Sequence, residues 1–332
     1  MRRRLSSLLC VCALFSAPSL CEAVQKLYWV DANQNKVFRS NLDGSAIETV
    51  LTSADAGGNG IAYITYSAEL KKLFYEAGAS TPVIYRSDYN GDNPQHIATF
   101  DTANFPRALA ANDQTDRLYF TSFHGYQAGN GKFRSITYDG LGLQDIVAIP
   151  DNYPYGTALD ITAGKAYWME TYNQRIVRSN LDGTSRTILK TGVSGQDIQI
   201  DVVSGKLYWV DDAARLLRRM NLDGSGMQDI GTIGPSGGNN AVVLDVPNQH
   251  VYWSSTGDDK IWRANLDGTS KVTIHSLPFN AYPMSMIIVD VGPVVPEPSS
   301  ALLSCFGLAG LLVAARRRRD GTSHSRGRCA KV

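Results

Sequence analysis

The groups able to do chemistry in this 332-residue chain divide into those written once and those written several times over. Five histidines, His96, His124, His250, His275 and His324, are scattered with no two at ligand spacing, and no HExxH, GxSxG or phosphate-loop motif occurs. Six arginines (Arg39, Arg86, Arg134, Arg178, Arg219 and Arg263) stand at a near-fixed offset before a turn glycine. Recurrence assigns them to the scaffold, where buried charges pair with each other or with backbone groups. Residues that break the repetition are the candidates for function. They are His124 and Tyr126, Tyr153 and Tyr155 in DNYPYG, Tyr172, Asp211 and Asp212, Asn239 and Asn240, and Phe279 and Tyr282 in PFNAYP. Tyrosines beside acids and amides offer an apolar ring with a polar tip, which suits stacking on a sugar ring or anchoring a protein. They supply neither a nucleophile nor a metal cluster, and no cofactor is expected.

The elements that position these residues repeat six times. Aromatic or aromatic-like doublets occur in LYWVD at Leu27, LFYEA at Leu73, LYFTS at Leu118, AYWME at Ala166, LYWVD at Leu207 and VYWSS at Val251, with first aromatics 46, 45, 48, 41 and 44 residues apart. Each is followed 16 to 21 residues later by a turn glycine: Gly44, Gly91, Gly140, Gly183, Gly224 and Gly268. A period of about 40 to 50 residues with short strands and Asp-Gly hairpin turns is that of propeller blades. The doublet strands are apolar on both faces, as blades stacked face to face require.

Further runs, YITYS, RALAAND, TALDI, DIQIDV and AVVLDV, precede the later doublets and predict the innermost strand of each blade. The first doublet lacks one, and SMIIVDV from Ser285 to Val291 supplies it from the other end. The expected fold is all-β: a six-bladed β-propeller over residues 24–291, closed by a C-terminal inner strand that removes the open edges. Loops entering the inner strands and loops following the doublets then emerge at one end. That end carries the symmetry-breaking residues, including an insertion in the third blade, whose doublet lies 21 residues from its glycine where four other blades have 16.

Composition narrows the functions. Residues 24–295 carry 22 basic against 28 acidic groups, a net −6, so a nucleic-acid surface is not expected. All five cysteines lie outside that stretch, which excludes a disulfide scaffold or zinc ribbon within it. Nothing points to more than a monomer.

The two ends concern destination. Residues 1–23 combine Arg2, Arg3 and Arg4, an apolar run and a small-residue stop at Ala23, which reads as a secretory signal peptide. At the other end a linker (292–300) contains Pro296, Glu297 and Pro298, followed by 15 apolar or small residues (301–315) and a basic tail (316–332) opening on Arg316, Arg317, Arg318 and Arg319. Fifteen residues of helix span about 22 Å, short of the ~30 Å hydrocarbon core, so the predicted transmembrane segment suits a temporary anchor with the arginines cytoplasmic. This segment resembles the PEP-CTERM sorting signal of Gram-negative bacteria, although 13 residues follow the arginines where such tails normally stop. The resemblance implies an exosortase-type sorting protease as partner, an inner-membrane intermediate, and delivery to the cell surface or extracellular matrix.

The blades resemble the YWTD repeats of the low-density-lipoprotein receptor class B family, a six-bladed propeller. Tyr28-Trp29, Tyr167-Trp168, Tyr208-Trp209 and Tyr252-Trp253 match its aromatic pair, with Asp31 and Asp211 at the fourth position. Asp160, Asp201, Asp245 and Asp290 resemble the aspartate ending its inner strand, with Thr65 and Asn112 in the departing second and third blades. WD-type propellers fit less well, because no Gly-His dipeptide recurs. The resulting expectation is a non-catalytic binding module whose partner is an extracellular protein or polysaccharide. The alternatives are a structural matrix component and an enzyme resembling the six-bladed gluconolactonases, whose axial metal Asn112, Asp197 and Asn240 would approach.

Overall fold

The computed structural model describes residues 24–78, 80–102, 104–123, 130–150, 153–235 and 241–292. Residues 1–23, expected to form a signal peptide, the Pro-Glu-Pro motif, the 301–315 segment and the basic tail lie outside them. Six four-stranded antiparallel sheets form the blades. The first holds β1 (Gln25–Asp31), β2 (Lys36–Asn41) and β3 (Glu48–Thr52). The second runs β4 (Ile61–Ser67), β5 (Lys72–Ala77), β6 (Val83–Asp88) and β7 (Gln95–Thr99), and the third β8 (Phe105–Asn112), β9 (Arg117–Phe123), β10 (Gly131–Thr137) and β11 (Gln144–Ile149). The fourth is β12 (Pro154–Asp160), β13 (Lys165–Glu170), β14 (Arg175–Asn180) and β15 (Thr187–Thr191). The fifth is β16 (Ile198–Asp201), β17 (Lys206–Asp211), β18 (Leu216–Asn221) and β19 (Gln228–Thr232), and the sixth β20 (Val242–Asp245), β21 (His250–Ser255), β22 (Lys260–Asn265) and β23 (Val272–Ser276). The last strand, β24 (Pro283–Asp290), pairs antiparallel with β1 from Gln25↔Asp290 to Asp31↔Pro283 and completes the first blade.

The doublets are apolar on both faces because each strand serves two cores. Tyr28 and Val30 point into the layer shared with the second blade, while Leu27 and Trp29 point into the layer shared with the sixth. All six core layers between neighbouring blades bury one or more such aromatics on a doublet strand completely, among them Trp29, Phe74, Trp168, Trp209 and Trp253. Each buried side chain of this size contributes about 3 kcal/mol, which allows the ring to stand without a disulfide.

The recurrent polar groups stitch the blades. Arg39 Nη1 donates to the Tyr28 hydroxyl at 3.2 Å, and that hydroxyl donates to the Tyr89 carbonyl of the second blade at 2.9 Å. Arg178 and Arg219 donate to Leu222 and Leu266 carbonyls one blade on, at 3.2 and 2.9 Å, and the Tyr252 hydroxyl reaches Leu42 at 3.2 Å across the closing seam. Where Phe74 replaces the tyrosine, Arg86 itself reaches the Tyr138 carbonyl at 3.3 Å. The inner-strand aspartates close the next turn: Asp160 accepts from Ala163 N–H, Asp201 from Val203 and Ser204, and Asp245 from Asn248. In the second blade the register corrects the expectation. Ser67, opposite Lys72, holds the aspartate's position and its Oγ accepts from Leu70 N–H, whereas Thr65 lies two residues earlier on the same strand face.

The turn glycines do more than turn. Gly44 has φ +89°, and a Cβ there would stand 2.5 Å from the Ile274 carbonyl of the sixth blade. Gly44→Ala should therefore cost about 2–4 kcal/mol, from the strained backbone and the overpacked seam together. Gly192, at φ +70° with open space around it, is the control: Gly192→Ala should cost only about 1 kcal/mol. Denaturant melts of the two variants check the difference.

Candidate binding face

In every blade the inner and doublet strands are antiparallel, so loops entering inner strands and loops leaving doublet strands share one end of the ring. The recurring acids at that end hold the scaffold. Asp31 Oδ1 accepts from Asn33, Gln34 and Tyr282 N–H, tying the first doublet to the loop before β24. Glu170 accepts from Trp168 Nε1 and forms ion pairs with Arg175 and Arg186 at 2.6 and 2.5 Å. Asp211 is buried, pairs with Arg218 at 2.7 Å and accepts from Ala214 and Ser194 N–H, so its carboxylate is occupied rather than offered to solvent. Its neighbour Asp212 is part-exposed and donates its N–H to the Ser194 carbonyl at 3.1 Å.

Three of the sequence candidates come together in the fourth blade. Tyr153 and Tyr155 at the start of β12 both pack on buried Phe123, with ring centroids 5.4 and 4.9 Å away, and Tyr172 meets Tyr153 edge-on at 5.7 Å. Tyr172 is 63% exposed, so the cluster opens to solvent at its outer end. At its inner end the Arg107 guanidinium lies over Phe123 at 5.2 Å, Phe105 at 5.6 Å and Tyr63 at 5.7 Å. Rings and a guanidinium thus form one continuous track from the rim of the fourth blade to the axis. Tyr155 and Tyr282 both lie within electrostatic reach of Tyr63, whose hydroxyl pKa is raised by burial. Phe279, 96% exposed, stands apart in the loop entering β24. His124, Tyr126, Asn239 and Asn240 lie outside the described residues, and with them the third-blade insertion.

Sequence reasoning missed Glu76 and Arg107. Glu76 occupies a doublet-strand position held by Val30, Thr121, Met169, Val210 and Ser254 in the other blades. It is 1% exposed, and burial pushes its carboxyl up to about 8 against the opposing pull of Arg107. That single ionisable departure at one repeat position was the available signal.

The axis holds a cavity of about 260 Å³ walled by inner strands, with Tyr63, Thr65, Asp197, Gln199 and Ser285 among its lining. Asp197, enclosed in this wall, has its carboxyl pushed up to about 7 by desolvation, and its two oxygens accept from Ile198 and Val242 N–H at 2.9 and 3.0 Å. It therefore links the fifth and sixth blades. Asn112 lies at the opposite end of its strand, where its Oδ1 caps the turn at Gln114. Among the described residues no group of three His, Cys, Asp or Glu side chains is placed to hold a metal ion. No helix among them is long and apolar enough to cross a membrane.

Comparison with known proteins agrees with this geometry. The family profile "Low-density lipoprotein receptor repeat class B" matches residues 25–62, the first blade up to the start of β4, and the "PEP-CTERM protein-sorting motif" matches residues 294–319. Protein cueball of Drosophila erecta is 28% identical over 146 residues, 43% of this chain and 22% of that protein. Low-density lipoprotein receptor-related protein 5 of Mus musculus is 34% identical over 171 residues, 49% of this chain and 10% of that protein. The chain thus spans at most about a fifth of these two relatives. A chain of the nidogen/laminin complex superposes with a TM-score of 0.68 at 18% identity, covering 80% of this chain and 98% of that one. TolB from Acinetobacter baumannii superposes at 0.59 and 13% identity, covering 75% of this chain and 63% of its own. The protein is a six-bladed β-propeller whose residues 25–62, in the first blade, match the low-density lipoprotein receptor class B repeat and whose residues 294–319, beyond the last strand, match the PEP-CTERM protein-sorting motif.

Proposed function

We propose that the protein is an exported, surface-sorted, non-catalytic binding module that presents the inner-strand-entry end of its propeller to an extracellular protein or polysaccharide. The observation that carries this reading is the aromatic track Tyr172, Tyr153, Phe123, Arg107, the part of that end which breaks the repetition. The polar groups that recur in the blades described above are engaged in turns and seams, which leaves the irregular rings as the surface for recognition. Exposed tyrosines with polar tips anchor partners at little entropic cost. A pull-down with the purified protein against secreted material, read for glycan and for protein, tests it. The expected result is a retained species that is lost with Tyr172→Ala.

The sorting part of the proposal rests on the PEP-CTERM match at 294–319. By its resemblance to such signals, an exosortase-type protease processes the tail from an inner-membrane intermediate. Pro296→Ala together with Pro298→Ala should then leave unprocessed chain in the inner membrane, scored by fractionation and immunoblot. Equal release of variant and parent would count against processing at this motif.

A further inference from the structure

We infer that Glu76 and Arg107 form an anchoring subsite for the terminal ring of a neutral oligosaccharide, whose following units run along Tyr153 and Tyr172 toward the rim. The inference rests on the reading of this end as a binding face. A cavity of about 240 Å³, roughly eight times the liquid volume of a water molecule, is lined by Asn35, Gly60, Glu76, Phe105, Arg107 and Met284. Into it faces a carboxyl that is 1% exposed and whose Oε2 has no hydrogen-bond partner. Leaving a buried oxygen unsatisfied costs the desolvation of that group with nothing in return, and the equivalent positions of other blades avoid that cost with Val30, Met169 or Val210. Retention of the acid here is explained by a ligand that completes its hydrogen bonding.

The neighbouring groups define that ligand. Arg107 is held by the rings of Tyr63, Phe105 and Phe123 at 5.2–5.7 Å, which fixes its planar guanidinium in the wall of the cavity that Glu76 also lines. A carboxyl and a guanidinium lining one cavity offer acceptors and donors to the same ligand, a combination that the hydroxyls of a vicinal diol satisfy. An ammonium ligand would meet the Arg107 charge, and a polyanion would approach a domain whose residues 24–295 carry a net −6. Desolvation keeps Glu76 protonated at neutral pH, so it can donate as well as accept. Outward from the cavity, Tyr153 is part-exposed and Tyr172 63% exposed, giving faces on which apolar sugar surfaces can stack.

Calorimetric titration of the purified protein with cello-, manno- and xylohexaose, and with hexagalacturonate as the acidic counterpart, tests the assignment. At least one neutral hexasaccharide should bind. Glu76→Met, which copies Met169 of the fourth blade, should weaken it about tenfold or more, a loss of about 1.4 kcal/mol, while melting at or above the parent temperature. Glu76→Gln, which keeps a donor and an acceptor, should stay within about threefold. Failure of every neutral hexasaccharide to bind, tighter binding of hexagalacturonate, or an unchanged affinity in Glu76→Met would overturn the subsite. Should Tyr172→Ala weaken a saccharide or a captured protein while Glu76→Met does not, the subsite falls and the face stands. If neither substitution changes any binding, both fall.

Discussion

A chain lacking Pro283–Asp290 should aggregate or lose its cooperative melt. That strand pairs with β1 along the whole of its length, and its removal strips the inner edge of the first blade. It also carries buried Met286 and Val289 and part-buried Ile287 and Ile288, which fill the layers toward the sixth and second blades. Ser285 Oγ accepts from Ile64 N–H, and the Pro283 carbonyl accepts from Ser254 Oγ, so both flanking blades lose partners as well. At about 1.5–3 kcal/mol for each fully buried side chain, the deletion removes an amount comparable to the whole stability of a typical domain, about 5–15 kcal/mol. Circular dichroism melts and sedimentation of the truncated chain check this. A soluble truncated protein melting within a few degrees of the parent would contradict ring closure by β24.

Stability should fall as pH rises from weakly acidic to alkaline, and Glu76→Met should remove most of that fall. Below its unfolded pKa, near 4.5, Glu76 is protonated in both states and its contribution is fully present. Between there and about 8 the unfolded chain releases the proton while the folded chain keeps it, so each rise in pH favours unfolding. Asp197, raised to about 7, acts in the same direction. The loss from Glu76 amounts to a few kcal/mol, on the order of 1.4 kcal/mol for each pH unit between its unfolded and folded pKa, and levels off above pH 8. His275 acts oppositely on the acid side. It is buried against Trp29, with Nε2 2.8 Å from Ser40 Oγ across the closing seam, and burial lowers its pKa, so stability drops below about pH 6.5. Urea denaturation at pH 6 and pH 9 should show the parent losing stability and Glu76→Met losing much less, the remainder being that of Asp197. Parallel curves for the two proteins would remove Glu76 as the cause.

The blades were legible because one pattern repeats: a doublet feeding two cores, followed by an Asp-Gly turn. Ring closure was legible by counting, since the first doublet lacks an inner strand and the chain has one left at its end. The displacement from Ser67 to Thr65 shows where pattern reading stops. The two residues lie on the same strand face, so alternation cannot separate them, and only pairing with Lys72 does. The turn glycines read as turn formers, yet the close approach of Gly44 to Ile274 joins segments 230 residues apart and has no local signature. The same holds for the site. Tyr153, Tyr155 and Tyr172 were readable as irregular tyrosines, and their chain neighbourhood brings them together. Glu76 and Arg107 sit in different blades, inside apolar runs that read as core, and only the curvature of the ring places them in one cavity.

The central claim is that recognition uses the end of the propeller carrying the aromatic track. It is tested most directly by the affinity of the partner recovered from secreted material for Tyr155→Ala, Tyr172→Ala and Phe279→Ala, set against Val203→Asp. Val203 is 86% exposed in the turn after β16, at the opposite end. The account predicts that each aromatic truncation weakens binding by more than about 1 kcal/mol with an unchanged melting temperature, and that Val203→Asp binds like the parent. Parent-like binding by all three aromatic variants, together with loss of binding in Val203→Asp, would contradict it.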